Sequence, residues 1–236
     1  MKLEKVTDPV SDDLLVKRRR WYDDACGTAM ALELVGERWA LMVVRELMFG
    51  PRRFGEIRAA LPGLSANILT QRLEGLEDAG VLTKRKLPPP ASAQVYELTP
   101  WGYESEPIFQ TMGRWAVRSP EHDPTLPLSA ASLMMSFRTM LRSDRAILPV
   151  RRIGFVIDGD SFVGTLGEDF AIERAPVEDC DIVLTGSPMT IASIVYGGRP
   201  IDDAEASGDL QIEGHRDFLA TFTTLFPLPA KVTRAD

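Results

Sequence analysis

The sequence holds only two cysteines and two histidines in 236 residues, and no long apolar run. Cys26 and Cys180 cannot supply the framework of a disulfide-stapled secreted domain, which points to a reducing, cytoplasmic setting. His122 lies in a proline-containing stretch and His215 at an expected helix start. Neither has a Cys or carboxylate cluster at ligand spacing, so no metal is expected. No stretch approaches the ~20 apolar residues of a membrane span, so no membrane partner is expected. The opening MKLEKVTDPVSDDLLVKRRR has no apolar core and no small-residue cleavage site, which argues against a secretion signal. Nucleophile-elbow and phosphate-loop patterns are missing too. Asp158 and Asp160 flank Gly159 and are accounted for by a turn. The chain therefore reads as a non-enzyme without a cofactor.

What is present is unevenly distributed. The net charge is −7. Residues 1–118 carry 17 Lys and Arg against 16 Asp and Glu; residues 119–236 carry 10 against 18. Within residues 17–86 there are 13 cations and 9 anions. A locally basic first half joined to an acidic second half suits contact with a polyanion through the first half alone.

The most informative stretch is SANILTQRLEGLEDAG, residues 65–80. Ile68, Leu69, Leu73 and Leu76 recur at the helical period and form one apolar stripe. The opposite face carries Ser65, Asn67, Thr70, Gln71 and Glu74, rich in amides and hydroxyls where a surface helix normally shows Lys and Glu. Ser65 is a suitable N-cap after Pro62-Gly63, and Gly80 a suitable stop. Asn, Gln, Ser and Thr match the donors and acceptors of base edges in the major groove. Next come a strand with Lys84, Arg85 and Lys86, the proline-rich loop 87–93, and a second strand at 94–98. Cations on such a hairpin hold phosphates and set register.

Ahead of this stretch, residues 26–35, 38–49 and 54–61 read as helices, the last joined to the 65–80 helix by the Pro62-Gly63 turn. Two short helices across a tight glycine turn make a helix-turn-helix. Residues 1–20 read as an arm or short helix ending in Lys17-Arg18-Arg19-Arg20. Thr99-Pro100 opens a helix to about residue 117, with Tyr103, Ile108, Met112, Trp115 and Ala116 on an apolar side. That side exceeds what so small a domain can cover, which predicts self-association.

Several pieces together resemble one known family. They are Cys26 ahead of the first helix, GERW at 36–39, GPRRFGEIRAALPGLS at 50–65, LTQRLEGLEDAGVL at 69–82, and YELTPWG at 96–102. In this order they resemble the HxlR-type winged-helix transcriptional regulators, relatives of the MarR group. The wing departs from the family pattern, because Pro88-Pro89-Pro90 is followed by Ala91-Ser92-Ala93-Gln94 instead of leading directly into the strand. The resemblance implies a homodimer that binds a pseudo-palindromic operator in double-stranded DNA. On this reading Asn67, Thr70 and Gln71 are the base-edge candidates, helped by Ser65. Arg52, Arg53, Lys84, Arg85 and Lys86 are the phosphate candidates. Arg72 either joins them or pairs with a neighbouring acid. Cys26 matches a position at which some relatives carry a redox-reactive thiol, against the plainer alternative of a small buried residue.

After Ser119-Pro120 the pattern changes. EHDPTLP at 121–127 reads as a linker. A helix at 128–141, strands at 152–158, 161–166 and 170–174, a strand at 180–185, a helix at 189–196, a strand at 210–213 and a helix at 215–226 complete the chain. The expected class is α+β: an antiparallel sheet with helices on one side. The run 181–198, SGDLQIEG at 207–214 and the Phe-rich last helix resemble the sterol-carrier-protein-like fold. That resemblance implies an apolar tunnel able to take a small apolar ligand. Phe137, Phe155, Met189, Ile194, Phe218 and Phe222 are the candidate lining residues, and in the plainer alternative simply core. A purely structural or dimerising role for this half remains open, with sensing at Cys26. The organisation expected is an arm (1–24), a winged helix-turn-helix domain (25–118), a linker (119–127) and the second α+β domain (128–236).

Overall fold

The computed structural model describes residues 22–89, 92–142, 144 and 149–233. The expected arm with Lys17 to Arg20, and Pro90 and Ala91 in the wing loop, lie outside the described residues. The chain is mixed α+β. Four helices come first among the described residues: α1 (Gly27–Val35), α2 (Ala40–Leu47), α3 (Phe54–Ala60) and α4 (Ala66–Asp78). A two-stranded antiparallel hairpin follows, β1 (Leu82–Lys86) and β2 (Gln94–Leu98), then α5 (Pro100–Tyr103) and α6 (Glu106–Ala116). This is a helix-turn-helix with a wing.

The caps explain the boundaries. Ser65 Oγ accepts from Ile68 N at 3.3 Å and starts α4. At the other end Gly80 takes φ +73, while Val81 N–H donates to Leu76 O and Gly80 N–H to Glu77 O, both at 2.9 Å. That paired closure satisfies the last carbonyls and turns the chain into β1. Thr99 Oγ1 accepts from Gly102 N at 3.0 Å and caps α5. A Cβ on Gly102 would sit 2.1 Å from Val81 O, so only glycine lets the base of the wing close on α5.

The helix expected from residue 99 to 117 is broken at Glu104 and Ser105. Pro107 lies in the first turn of α6 and has no N–H to offer the carbonyl of Tyr103, so a new helix starts there.

The second half contains α7 (Ala130–Met140) and a five-stranded sheet: β3 (Arg151–Ile157), β4 (Asp160–Leu166), β5 (Phe170–Arg174), β6 (Ile182–Gly186) and β7 (Leu210–Gly214). The helices α8 (Pro188–Val195) and α9 (Ile201–Ala206) separate β6 from β7, and α10 (Asp217–Phe222) with a 3-10 turn (Thr223–Leu225) follows. Strand order is β5-β4-β3-β6-β7. The wholly antiparallel expectation is corrected: β3 and β6 pair in parallel, Phe155 opposite Leu184. The connection from β5 has to cross the sheet to reach the far side of β3. It does so over Gly154, where a Cβ would meet Val177 Cγ1 at 2.9 Å. The helix α9 is additional to the expected elements, and Pro200 followed by Asp202 and Asp203 is its start signal.

One sheet face carries Ile153, Phe155, Phe162, Leu166, Phe170, Ile172 and Leu184, all buried. Against it lie Phe137 of α7 and Phe222 and Phe226 near the C-terminus, with ring centroids 4.8 to 6.0 Å apart. Buried residues of both halves form a single contiguous cluster. Among the described residues no helix is long and apolar enough to cross a membrane.

Candidate nucleic-acid interface

The candidate surface is built from α4 and the wing. Leu69, Leu73 and Leu76 are essentially fully buried and fix the inner side of α4. Ser65, Asn67, Thr70, Gln71 and Glu74 are exposed on the outer side. Asn67 and Gln71 therefore keep their amides in solvent. Thr70 Oγ1 donates back to Ala66 O at 3.1 Å, which leaves its lone pairs free to accept. Arg72 is half-buried and its Nη2 lies 3.2 Å from Glu37 Oε2, so the acid-paired alternative for this residue is the one the structure has.

The wing cations are placed differently from one another. Lys86 is exposed. Lys84 is exposed with its ammonium 5.9 Å from the centroid of the Tyr96 ring. Arg85 is bound through Nε to Glu97 on the neighbouring strand, and that contact raises its pKa above the ordinary arginine value. Its guanidinium is thus only partly available to a phosphate. Arg53 is exposed in the N-cap position of α3, with Glu56 accepting its backbone N–H at 2.8 Å.

Arg52 is a correction. It was expected to hold phosphate, but it is buried, and its Nη1 and Nη2 donate to Asp160 Oδ1 and Oδ2 at 2.7 and 2.8 Å. The arginine next in sequence to an exposed one points inward because its backbone joins β2, in a bridge to Tyr96. The assignment of Asp160 to a turn alone is corrected by the same contact. In the sequence, 108 positions separate the two residues and nothing local links them.

Elsewhere, Cys26 is exposed and stands at the N-cap of α1. The backbone N–H groups of Thr28 and Ala29, and then the Thr28 side chain, lower its pKa. A helix start lowers a thiol pKa in this way, and Cys26 is exposed where the plainer alternative expected a small buried residue. Cys180 is half-buried, and burial raises its pKa. Of the six expected pocket residues, Phe137, Phe155, Ile194 and Phe222 are buried, while Met189 and Phe218 are partly exposed. Phe137, Phe155 and Phe222 touch one another's rings. Among the described residues no group of three or more His, Cys, Asp or Glu is placed to hold a metal.

A recognition helix with an open amide-and-hydroxyl face beside a basic wing defines a DNA-binding protein of the winged-helix class. Residues 34–123 match the HxlR-like helix-turn-helix family. The uncharacterised HTH-type transcriptional regulator YvaP of Bacillus subtilis is 37% identical over 86 residues, which are 36% of this chain and 80% of YvaP. The HTH-type transcriptional regulator YodB of the same organism is 36% identical over 86 residues, 77% of its length. A solved structure of reduced YodB covers 42% of this chain and all of that chain, at 33% identity and a TM-score of 0.38. The chain belongs to the HxlR-like helix-turn-helix family of transcriptional regulators.

Proposed function

We propose that the protein is a cytoplasmic homodimer that regulates transcription from a pseudo-palindromic operator in double-stranded DNA. The observation that carries this reading is the outer face of α4, where Asn67, Thr70 and Gln71 are exposed over a fully anchored leucine stripe. Each copy lays α4 in a major groove, and Arg53, Lys84 and Lys86 grip flanking phosphates. Two copies are supported by α6, where Ile108, Met112 and Trp115 follow one another at helical spacing and are 40%, 48% and 75% exposed. A contiguous apolar stripe of that kind marks an interaction surface. The two α4 helices, one from each copy, enter successive grooves about 34 Å apart.

Gln71→Ala should relax sequence preference. Lys86→Ala should weaken every duplex alike and make the salt dependence shallower by about one unit. Titrating a selected and a scrambled duplex at several salt concentrations separates the two effects. Equal losses for both variants on both duplexes contradict the reading.

For the second half, the order helix, three-stranded meander, crossover strand, two helices, strand, helix supports a sterol-carrier-protein-like domain at 128–236. An apolar effector would enter beside Met189 and Phe218, the partly exposed members of the expected lining. The mutual packing of Phe137, Phe155 and Phe222 instead favours the structural role, with Cys26 as the sensing group. Native mass spectrometry of protein from its own cell distinguishes these. A retained apolar mass supports the effector; a mass shift confined to Cys26 after oxidant supports the thiol.

A further inference from the structure

One polar contact between the two halves is centred on a carboxylate. Asp160 opens β4 and lies on the same sheet face as Phe162, whose ladder partner is Arg174. Both Asp160 oxygens accept from Arg52, at 2.7 and 2.8 Å, and Arg174 Nε stands 3.6 Å away. The two-pronged geometry fixes the plane of the Arg52 guanidinium as well as its position. Arg52 is 9% exposed. Its backbone bonds Tyr96 in both directions, at 2.9 and 2.8 Å, and so adds a one-residue third strand beside the wing hairpin. The next residue, Arg53, caps α3, and the Tyr96 ring carries the Lys84 ammonium. An unbroken series of contacts thus runs from β4 to Lys84 of the wing and to the first helix of the helix-turn-helix. Arg174 reinforces it: Nη1 donates to Phe49 O at 3.2 Å, and the guanidinium lies 4.9 Å over the Phe162 ring.

We propose that Asp160 is a positioning residue for DNA recognition. It holds Arg52, and through Arg52 the base of the wing and the start of α3, so that Lys84, Lys86 and α4 meet one duplex together. The family match ends at residue 123, well before β4, so this brace is something the second half adds to the shared winged helix. Arg52 serves as a structural cation, and the second half contributes to DNA binding without touching DNA.

The test uses the full chain and a duplex that the wild type has selected from a random pool. Asp160→Asn keeps the shape and removes the charge. Because it leaves the buried Arg52 guanidinium unpaired, a second variant, Arg52→Met with Asp160→Leu, removes that pair as a whole, while Arg174 keeps its bond to Phe49 O. Binding is measured well below the melting temperature of each variant, over a range of salt. Both variants should lose on the order of tenfold in affinity, with a salt dependence shallower by about one to two units as wing contacts are lost. Asp160→Glu, which keeps the carboxylate, should retain the wild-type salt dependence. A folded double variant with wild-type affinity and salt dependence, or one that loses affinity with the salt dependence unchanged, overturns the proposal. Failure of the wild type to select any duplex would instead strike at DNA binding itself.

Discussion

The two halves differ in how many exposed cations they leave unpaired. In the second half Arg142 is paired with Asp144, Arg199 with Asp209, and Arg216 with Asp202 and Glu205. In the first half Arg45, Arg52, Arg72 and Arg85 are paired as well, but Arg53, Arg58, Lys84 and Lys86 are exposed and form no ion pair among the described residues. The acid excess of the second half is thereby partly used up locally, while the first half keeps cations uncommitted. Uncommitted cations beside an amide-rich helix suit a polyanion that also carries readable edges. A balance of +1 over residues 1–118 would not have suggested this. Arrangement, not net charge, makes the surface.

The largest effect expected concerns how far the halves are independent. Phe137→Ala removes the ring at the centre of the aromatic cluster and should cost about 3–5 kcal/mol in urea unfolding. Because both halves share one core cluster, the loss should appear as one transition followed alike by near- and far-ultraviolet signals. Two separated transitions would mean the halves melt as independent bodies, and the comparison would have to be drawn between two domains rather than two regions.

Next in size is the dimer. Met112→Asp with Trp115→Asp places two charges on the exposed stripe of α6 and should give monomers by light scattering. Affinity for a paired site should fall by about a hundredfold, as expected when two linked contacts become one. Unchanged mass would move the self-association surface elsewhere.

Ser65→Ala deletes the N-cap of α4 and should cost about 1 kcal/mol. It sharpens the comparison because fraying at that end disturbs the exposed face and leaves the second half alone. Equal hydrogen-exchange changes in β3 would contradict that localisation.

The smallest effect is a rate order. The Cys26 pKa is lowered and the Cys180 pKa raised, so at neutral pH more of Cys26 is thiolate. Alkylation followed by peptide mass spectrometry should label Cys26 first, and its pH midpoint should lie below that of Cys180. The reverse order would remove the chemical basis for sensing at Cys26.

Legibility in the sequence followed the range of the interactions. The α4 stripe, the Ser65 cap, the Gly80 stop and the two strands of the wing are set by residues within a turn or a hairpin of one another, and they could be read directly. Most strands of the second half were visible for the same reason. The parallel pairing of β3 with β6 was hidden because it depends on where a crossover lands, not on the strands' own alternation. The inward turn of Arg52 was hidden for a related reason. Its neighbour Arg53 has the same side chain, and only a carboxylate 108 positions away distinguishes them. The break before α6 was readable in Pro107 and was missed by following apolar spacing alone.

The most direct test of the central claim is a hydroxyl-radical footprint of the full-length protein on a duplex it has selected. Two protected segments on one face of the helix, about one turn or 10 base pairs apart, are predicted from paired α4 helices in successive major grooves. A single protected segment, or protection abolished by changes on the β7 face but untouched by Gln71→Ala and Lys86→Ala, would contradict it.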